Sequence, residues 1–204
     1  MVVGILNYNA GNIYNIKKTL LSLKVKVRVI KSKKDFKGCD KLVLPGVGSF
    51  ETAMMFINKN KMKKDILEFI SKNKTILAIC LGMQILFEKS EECKKINGLS
   101  ILKGNVEKIR FKKNSKCKIP NINYLLVRKE EKNQNFFEKV KNNKFYFSHS
   151  YICLPKKIKN FLKTKYCNKD FISGILYKKI IGVQFHPELS GTKGVELFKN
   201  FLKY

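Results

Sequence analysis

The sequence has few of the residues that build metal sites and none of the long apolar runs that cross membranes. Two histidines, His149 and His186, occur among 204 residues, and the six cysteines form no C-x-x-C pair, so the ligand spacing of a zinc site is missing. No apolar run is long enough to span a bilayer, and the first residues, MVVGILNYNAGN, lack the basic region of a signal peptide. We therefore expect a cytoplasmic protein without a metal and without a disulfide framework.

Acidic residues are also scarce. Fifteen Asp and Glu stand against 43 Lys and Arg, which gives a formal net charge of +28. Such a charge is typical of nucleic-acid and membrane-surface proteins, but only three of these cations are arginine, which binds bases and phosphates best. Because the lysines are spread along the whole chain, we expect a solvated basic surface and neither a membrane nor a nucleic-acid partner. A nucleic-acid-binding protein on an inactive fold is the alternative.

The hydrophobic pattern predicts one α/β domain over residues 1–204. Strands are predicted at 2–8, 25–30, 41–44 and 75–79, and helices at 10–24 and 83–89. One or two helices are predicted over 51–73, with these side chains pointing inward: Met54, Ile57, Met62, Ile66 and Phe69. Because strands alternate with helices, this half predicts a mostly parallel sheet flanked by helices on both faces. Short strands are predicted at 105–111, 123–127, 144–150, 171–178 and 180–185, before a helix at 195–204. We expect these later strands to be antiparallel or mixed.

The stretch LAICLGMQ (77–84) places a thiol where a predicted strand turns into a predicted helix. A tight turn of this kind exposes its apex side chain at the carboxyl end of the sheet, where open α/β proteins bind ligands. The helix N-terminus behind Cys80 favours the thiolate, and the backbone N–H of Leu81 can face an oxyanion. Gly82 allows the helix to pack closely beneath the turn. Cys80 is therefore the candidate nucleophile.

A thiolate nucleophile needs a base, and the base needs a group that orients it. His186 follows a predicted strand in GVQFHPELSG (182–191), and Glu188 comes two residues later, with Pro187 stiffening the turn. Taken alone, His186 would be interpreted as a polar residue at a strand end.

The stretch LVLPGVGSF (42–50) places Gly46 and Gly48 after a buried strand, where bare backbone can approach a ligand. It is not a phosphate loop, because no G-K-[ST] follows.

Together, PGVGSF, CLGMQ and QFHPELS resemble the class I (triad) glutamine amidotransferases in order and approximate spacing. LNYNAGNI, GLSILKGNVEKI, KIP and FYFSHSY are similar to the glutaminase subunit of imidazole glycerol phosphate synthase. The resemblance implies a single glutamine amidotransferase domain over 1–204 that hydrolyses glutamine to glutamate and ammonia through a thioester, with no cofactor.

The resemblance also assigns residues. Cys80 would attack the glutamine carboxamide, His186 would act as base and acid, and Glu188 would orient His186. Backbone N–H groups of Leu81 and of Val47 or Gly48 would hold the oxyanion. In this family the backbone segment that corresponds to PGVG is thought to flip when the partner binds its ligand. The positions that match the glutamine pocket are Gly46, Gly48, Gln84, Ser150 and Tyr151. His149 is then a structural or pocket-wall residue.

The implied partner is a (β/α)8 cyclase subunit in a heterodimer. Ammonia would pass through its barrel and react with a phosphoribulosyl-formimino ribonucleotide, giving imidazole glycerol phosphate and an aminoimidazole carboxamide ribotide in histidine biosynthesis. The synthase complex as a whole would thus act as a lyase.

The face toward that partner departs from the family pattern. The usual P-H-M-G-W-N is replaced by Pro120-Asn121-Ile122-Asn123-Tyr124-Leu125, and Leu189 stands where a lysine is frequent, whereas Tyr146 is retained. Either the cyclase has co-varied, with Tyr124 in the place of the tryptophan, or the chain supplies ammonia to another synthase, such as a surface-sugar amidotransferase. A different class is a further alternative, because γ-glutamyl hydrolases and peptidase-like or chaperone-like proteins of related fold also carry a cysteine at this turn. The HPE and PGVG stretches favour the glutaminase.

Overall fold

A computed structural model describes residues 1–8, 13–112, 116–129, 136–137, 140 and 142–204. Its strands are β1 (Val2–Leu6), β2 (Lys26–Ile30), β3 (Lys41–Leu44), β4 (Ile76–Ile79), β5 (Lys89–Ser90), β6 (Gly104–Lys108), β7 (Asn121–Lys129), β8 (Asn143–His149), β9 (Tyr151–Pro155), β10 (Phe161–Tyr166), β11 (Lys169–Tyr177) and β12 (Ile180–Val183). Its helices are α1 (Tyr14–Ser22), α2 (Phe50–Lys59), α3 (Lys63–Ser71), α4 (Leu81–Gln84) and α5 (Gly191–Lys203), with 3-10 turns at Lys33–Phe36 and Pro187–Leu189. Within these described ranges, no helix is long and apolar enough to cross a membrane. Residues 9–12 of the LNYNAGNI motif lie outside them.

In the part of the chain that the structure describes, nine strands form one mixed sheet in the order β2-β1-β3-β4-β12-β11-β10-β7-β8. The strands from β2 to β12 run parallel to their neighbours, and those from β12 to β8 run antiparallel. A second sheet has the order β5-β6-β9. Strands β4 and β12 are buried at every residue, as expected for parallel strands covered on both faces. The predicted parallel first half with antiparallel strands later is confirmed.

Helices cover both faces of the parallel half. On one face α2 and α3 bury the apolar side chains predicted to point inward, and Met62 between the two helices joins them: Met54, Ile57, Met62, Ile66 and Phe69. On the other face α1 and α5 pack Leu20 and Phe198 into a second cluster. Each fully buried side chain of this size contributes roughly 1.5–3 kcal/mol.

The helix predicted at 83–89 is wrong in extent, because α4 begins at Leu81 and ends at Gln84. The next three residues are fully buried, so their apolar pattern cannot distinguish a helix from a buried turn. Their carbonyls accept hydrogen bonds from a distant segment: Leu99 donates to Ile85 at 2.8 Å and Leu102 donates to Leu86 at 3.0 Å. These bonds replace the ones that a longer helix would make.

The pattern also missed strands β5, β9 and β10. In β10, Leu162 and Thr164 are buried while lysines alternate with them. The apolar face of β10 is therefore too short to stand out in a lysine-rich sequence.

The sequence predicted no disulfide framework, and the described residues contain one bonded pair. Cys117 and Cys167 are bonded, with their Cα atoms 6.4 Å apart. The sequence does not indicate this pairing, because the two cysteines are 50 residues apart. In the fold, β10 lies beside β7, and the Tyr166 hydroxyl donates to the Lys118 carbonyl at 2.8 Å. This arrangement brings the segment before β7 to the turn after β10. The other four cysteines are buried free thiols.

Candidate active site

Cys80 occupies the turn between β4 and α4, with φ of 45° and ψ of −103°. A side chain in this left-handed region costs about 1–3 kcal/mol and marks a strained strand–turn–helix that exposes its apex. The turn is held by its neighbours, because the Cys80 N–H donates to the Val183 carbonyl at 2.7 Å. Gly82 is required beneath it, since a Cβ there would clash with the carbonyl oxygen of Leu44.

The sheet brings the predicted base to this thiol. Strand β12 lies parallel to β4, with Val183 opposite Ile79, so both strands end at the same edge and the residues after them meet. Nδ1 of His186 and Oε1 of Glu188 are 2.8 Å apart, and both side chains are almost fully buried. Because a carboxylate only accepts hydrogen bonds, the proton lies on Nδ1 and Nε2 is left for the thiol.

The charges around His186 favour its imidazolium form. Burial lowers the pKa of His186, but the charge and hydrogen bond of Cys80, together with Glu188, outweigh burial and hold that pKa well above its ordinary value. A proton can therefore move from the sulfur to the imidazole without leaving an isolated buried charge.

The thiol opens into a cavity of about 390 Å³, a size suited to a small ligand. Its walls include all the residues predicted for the oxyanion and the glutamine pocket: Gly46, Val47, Gly48, Leu81, Gln84, Ser150 and Tyr151. Pro120, Tyr146 and Leu189 from the predicted partner face also line it. Across the described ranges, no group of three or more His, Cys, Asp and Glu could hold a metal ion.

One of the predicted oxyanion donors already has a hydrogen-bond partner. The Leu81 N–H donates to the Gly46 carbonyl oxygen, at an N···O distance of 3.5 Å. A carbonyl oxygen in this position would repel an oxyanion, so the peptide after Gly46 has to turn before Leu81 can bind one. Gly48 has a φ of 118°, a conformation open mainly to glycine.

Asn121 is corrected from a partner-face residue to an interior one. Its side chain is fully buried, and its Nδ2 lies 3.0 Å from Nε2 of His149. On the other side of the ring, Nδ1 of His149 is 2.9 Å from the Tyr151 carbonyl oxygen. A carbonyl only accepts, so Nδ1 carries the proton, and because the Asn121 NH2 group only donates, Nε2 accepts and the ring is neutral. Burial lowers the pKa of His149 to about 4.

We expect His149 to make the protein less stable as the pH falls from about 7 to 4. The unfolded chain binds a proton near pH 6.5, whereas the folded chain resists it until about pH 4, so the loss across this window is roughly 3 kcal/mol. Urea unfolding at several pH values should show the decline in the wild type and a shallower one in His149→Gln. Equal slopes would contradict a buried neutral His149.

Sequence reasoning missed three polar groups around the thiol. Nε2 of Gln184 donates to Sγ of Cys80 at 3.4 Å, and Sγ of Cys80 is 3.8 Å from the Ser148 carbonyl oxygen. Glu92 adds a carboxylate to the cavity wall. Strand alternation could have indicated Gln184, because residues 184 and 186 lie on the same side of an extended chain.

Comparison with known proteins gives a consistent family. A model of the family "Glutamine amidotransferase class-I" matches residues 5–204. The imidazole glycerol phosphate synthase subunit HisH of Methanocaldococcus jannaschii is 41% identical over 203 residues, which are 99% of each chain. The chloroplastic imidazole glycerol phosphate synthase hisHF of Arabidopsis thaliana is 34% identical over 98% of this chain, which spans 34% of that protein.

A solved PurLQS structure from Thermotoga maritima has the same fold, with a TM-score of 0.75 and 17% identity over 100% of this chain and 98% of that one. The matched family, the full-length relative and the shared fold agree with the geometry around Cys80. The chain belongs to the class I glutamine amidotransferases, and among them to the family of the HisH subunits of imidazole glycerol phosphate synthase.

Proposed function

We propose that this chain is a glutaminase that hydrolyses glutamine to glutamate and ammonia, and that it passes the ammonia to a cyclase subunit in histidine biosynthesis. The observation that carries the proposal is the buried Cys80, His186 and Glu188 group at the base of a cavity of amino-acid size. Relatives named as synthase HisH subunits over the whole chain support the pathway.

The reaction follows from the arrangement of these side chains. The Cys80 thiolate attacks the carboxamide carbon of glutamine, and the His186 imidazolium protonates the leaving nitrogen, so ammonia departs and a γ-glutamyl thioester remains. His186, now neutral, takes a proton from water, and the resulting hydroxide releases glutamate and restores the thiolate. Glu188 orients the imidazole throughout.

The pocket suits the rest of the substrate. Glu92 supplies a negative charge for the α-ammonium group, and its position is fixed because Oε2 accepts the Phe50 N–H at 3.0 Å. The Gln84 amide is held by the Tyr151 carbonyl at 3.3 Å. These contacts place the binding groups on the cavity wall before the ligand arrives.

The partner would bind around the cavity mouth. Exposed apolar side chains gather there, and the set is Val47, Ile119, Ile122, Tyr124 and Leu189. Tyr124 is fixed among them, because its hydroxyl donates to the Leu189 carbonyl at 2.7 Å and its ring lies 5.4 Å from that of Tyr146. We assign the (β/α)8 cyclase to this face, with Pro120, Tyr124, Tyr146 and Leu189 at the interface of a cytoplasmic heterodimer.

Two further observations support this partner. The Arabidopsis thaliana hisHF protein contains a region matching this chain and is about three times as long, as expected if both subunits are joined in it. The Gly46 carbonyl at the Leu81 N–H explains why hydrolysis would wait for the partner, since the oxyanion site is completed only when that peptide turns.

The test is glutamate release from glutamine by the chain alone, and then with the cyclase of the same organism and its ribonucleotide ligand. Strong stimulation by the liganded cyclase is expected. If stimulation is absent while diazo-oxo-norleucine still labels Cys80, the chain is a glutaminase for another acceptor, and a surface-sugar synthase becomes the leading candidate. Failure to label Cys80 would contradict the glutaminase itself.

We expect Tyr124→Ala to weaken the complex about 10- to 100-fold while glutamine hydrolysis by the isolated chain stays near the wild-type rate. The reason is that an exposed, fixed tyrosine ring is a typical interface anchor, and Tyr124 does not line the cavity. Titration of the cyclase against stimulated hydrolysis measures the effect.

Tyr177→Ala is the matched control, because it removes an exposed tyrosine at the opposite end of the sheet, beside the start of β12. Equal complex affinity in the wild type and in Tyr124→Ala would remove Tyr124 from the interface.

A further inference from the structure

We propose that Gln184 is a further catalytic residue, whose side-chain amide donates a hydrogen bond to the Cys80 thiolate while Cys153 holds the amide in that orientation. This inference rests on the proposed role of Cys80 as the nucleophile. Gln184 gives the Cys80 sulfur a hydrogen-bond donor, and this donor keeps its own proton throughout the reaction.

Gln184 is placed for this role by the sheet. Its backbone N–H donates to the Ser173 carbonyl at 2.9 Å, which holds the chain just beyond β12 against β11. Its side chain is fully buried and reaches the sulfur, with Nε2 3.4 Å from Sγ of Cys80. A buried amide needs partners for both of its ends, and one of those ends meets the reacting atom.

Cys153 fixes the orientation of the Gln184 side-chain amide relative to Cys80. Its Sγ lies 3.9 Å from Oε1 of Gln184, and the residue is fully buried on β9. Burial raises the pKa of Cys153 well above its ordinary value, so this sulfur keeps its proton and donates it to Oε1. The Nε2 end therefore points toward Cys80 with an N–H to donate.

The two sulfurs thus have opposite roles in one short chain of hydrogen bonds. The Cys80 thiolate accepts from Gln184, whereas Cys153 donates to it. Hydrogen bonds to a charged acceptor are stronger than bonds between neutral groups, so Gln184 stabilises the thiolate more than the thiol. It acts twice in the cycle, when the thiolate attacks and when the thiolate leaves the thioester.

His186 cannot do this alone, because it gives up its proton. Once the imidazolium has protonated the leaving ammonia, the neutral ring has to activate water. Gln184 remains a donor through both steps. We therefore expect its loss to reduce the turnover rate more than the binding of glutamine, because Nε2 contacts the sulfur and Gln184 does not line the cavity.

The experiment measures the rate of Cys80 alkylation by iodoacetamide against pH, since the thiolate is the reacting form. Gln184→Met keeps the volume of the side chain and removes the donor. We expect the midpoint of its profile to rise by about one pH unit, and kcat for glutamine to fall about 10- to 100-fold with little change in KM. Cys80→Ala gives the background from the other thiols.

A second pair of variants tests the orienting step even if Gln184→Met does not fold. Cys153→Ala removes the donor to Oε1, and it should raise the alkylation midpoint by a smaller amount in the same direction. Cys153→Ser keeps a donor of similar size and should restore the wild-type profile.

An unchanged midpoint in folded Gln184→Met overturns the proposal, even if activity falls, because only packing would then be involved. Where that variant does not fold, wild-type midpoints in both Cys153 variants overturn it. Alkylation does not depend on glutamine, so a shifted midpoint in a chain that releases no glutamate, alone or with the liganded cyclase, would contradict the proposed function and leave the Gln184 contact supported.

Discussion

Replacing Cys80 by alanine is expected to reduce glutamate release by on the order of 10⁴- to 10⁶-fold, to the background rate. The reason is that covalent catalysis ends when the attacking sulfur is removed, and the remaining groups of such a triad contribute little without it. His186 and Glu188 stay in place in this variant, since their 2.8 Å contact does not involve Cys80. Glutamate release is measured with an excess of glutamine in the presence of the liganded cyclase.

A matched control separates the loss of the nucleophile from the loss of a buried thiol. Cys93→Ala removes another free buried cysteine that does not line the cavity, and it should keep both the activity and the labelling of Cys80. The thermal unfolding of both variants should show that they are folded. A wild-type rate in Cys80→Ala would overturn the mechanism.

Much of this site could be predicted because parallel strands end at one edge of the sheet. Cys80 and His186 are 106 positions apart in the sequence. Cys80 directly follows the buried strand β4, which ends at Ile79, and His186 comes shortly after the buried strand β12, which ends at Val183. The sequence therefore indicated that both side chains lie at the carboxyl edge. It could not show that β4 and β12 are neighbours, with Ile79 opposite Val183, and this pairing decides that the two side chains meet.

Other features could not be predicted because they depend on contacts between distant segments. The end of α4 at Gln84 follows from hydrogen bonds that residues 99–102 donate to the buried turn after it. The bond between Cys117 and Cys167 follows from the position of β10 beside β7. The direction of the Gly46 carbonyl is one of two peptide orientations, which no residue pattern encodes, and in the proposed mechanism it decides whether the Leu81 N–H can bind the oxyanion.

Glu188→Gln is expected to lower kcat/KM for glutamine about 10²- to 10⁴-fold, a smaller loss than that of Cys80→Ala. An amide oxygen can still accept the proton on Nδ1 of His186, so the ring keeps its orientation, but the negative charge is gone. That charge is worth more here than at a surface, because both side chains are almost fully buried and water screens them little. The imidazolium that forms when Cys80 loses its proton becomes less stable, and the rate falls.

The pH dependence gives a second signature of the same change. Burial lowers the pKa of His186, and Cys80 and then Glu188 raise it, so removing the charge of Glu188 lowers this pKa. The imidazolium is lost as pH rises through that value, and the alkaline limb of the activity profile should therefore move to lower pH. Glu188→Asp keeps the charge on a shorter side chain, so its alkaline limb should stay nearer to that of the wild type.

If Glu188→Gln had the wild-type rate and profile, the carboxylate would have no part in orienting or charging the base. If Glu188→Asp lost as much as Glu188→Gln, the length of the side chain, which sets the 2.8 Å contact with Nδ1, would matter more than its charge.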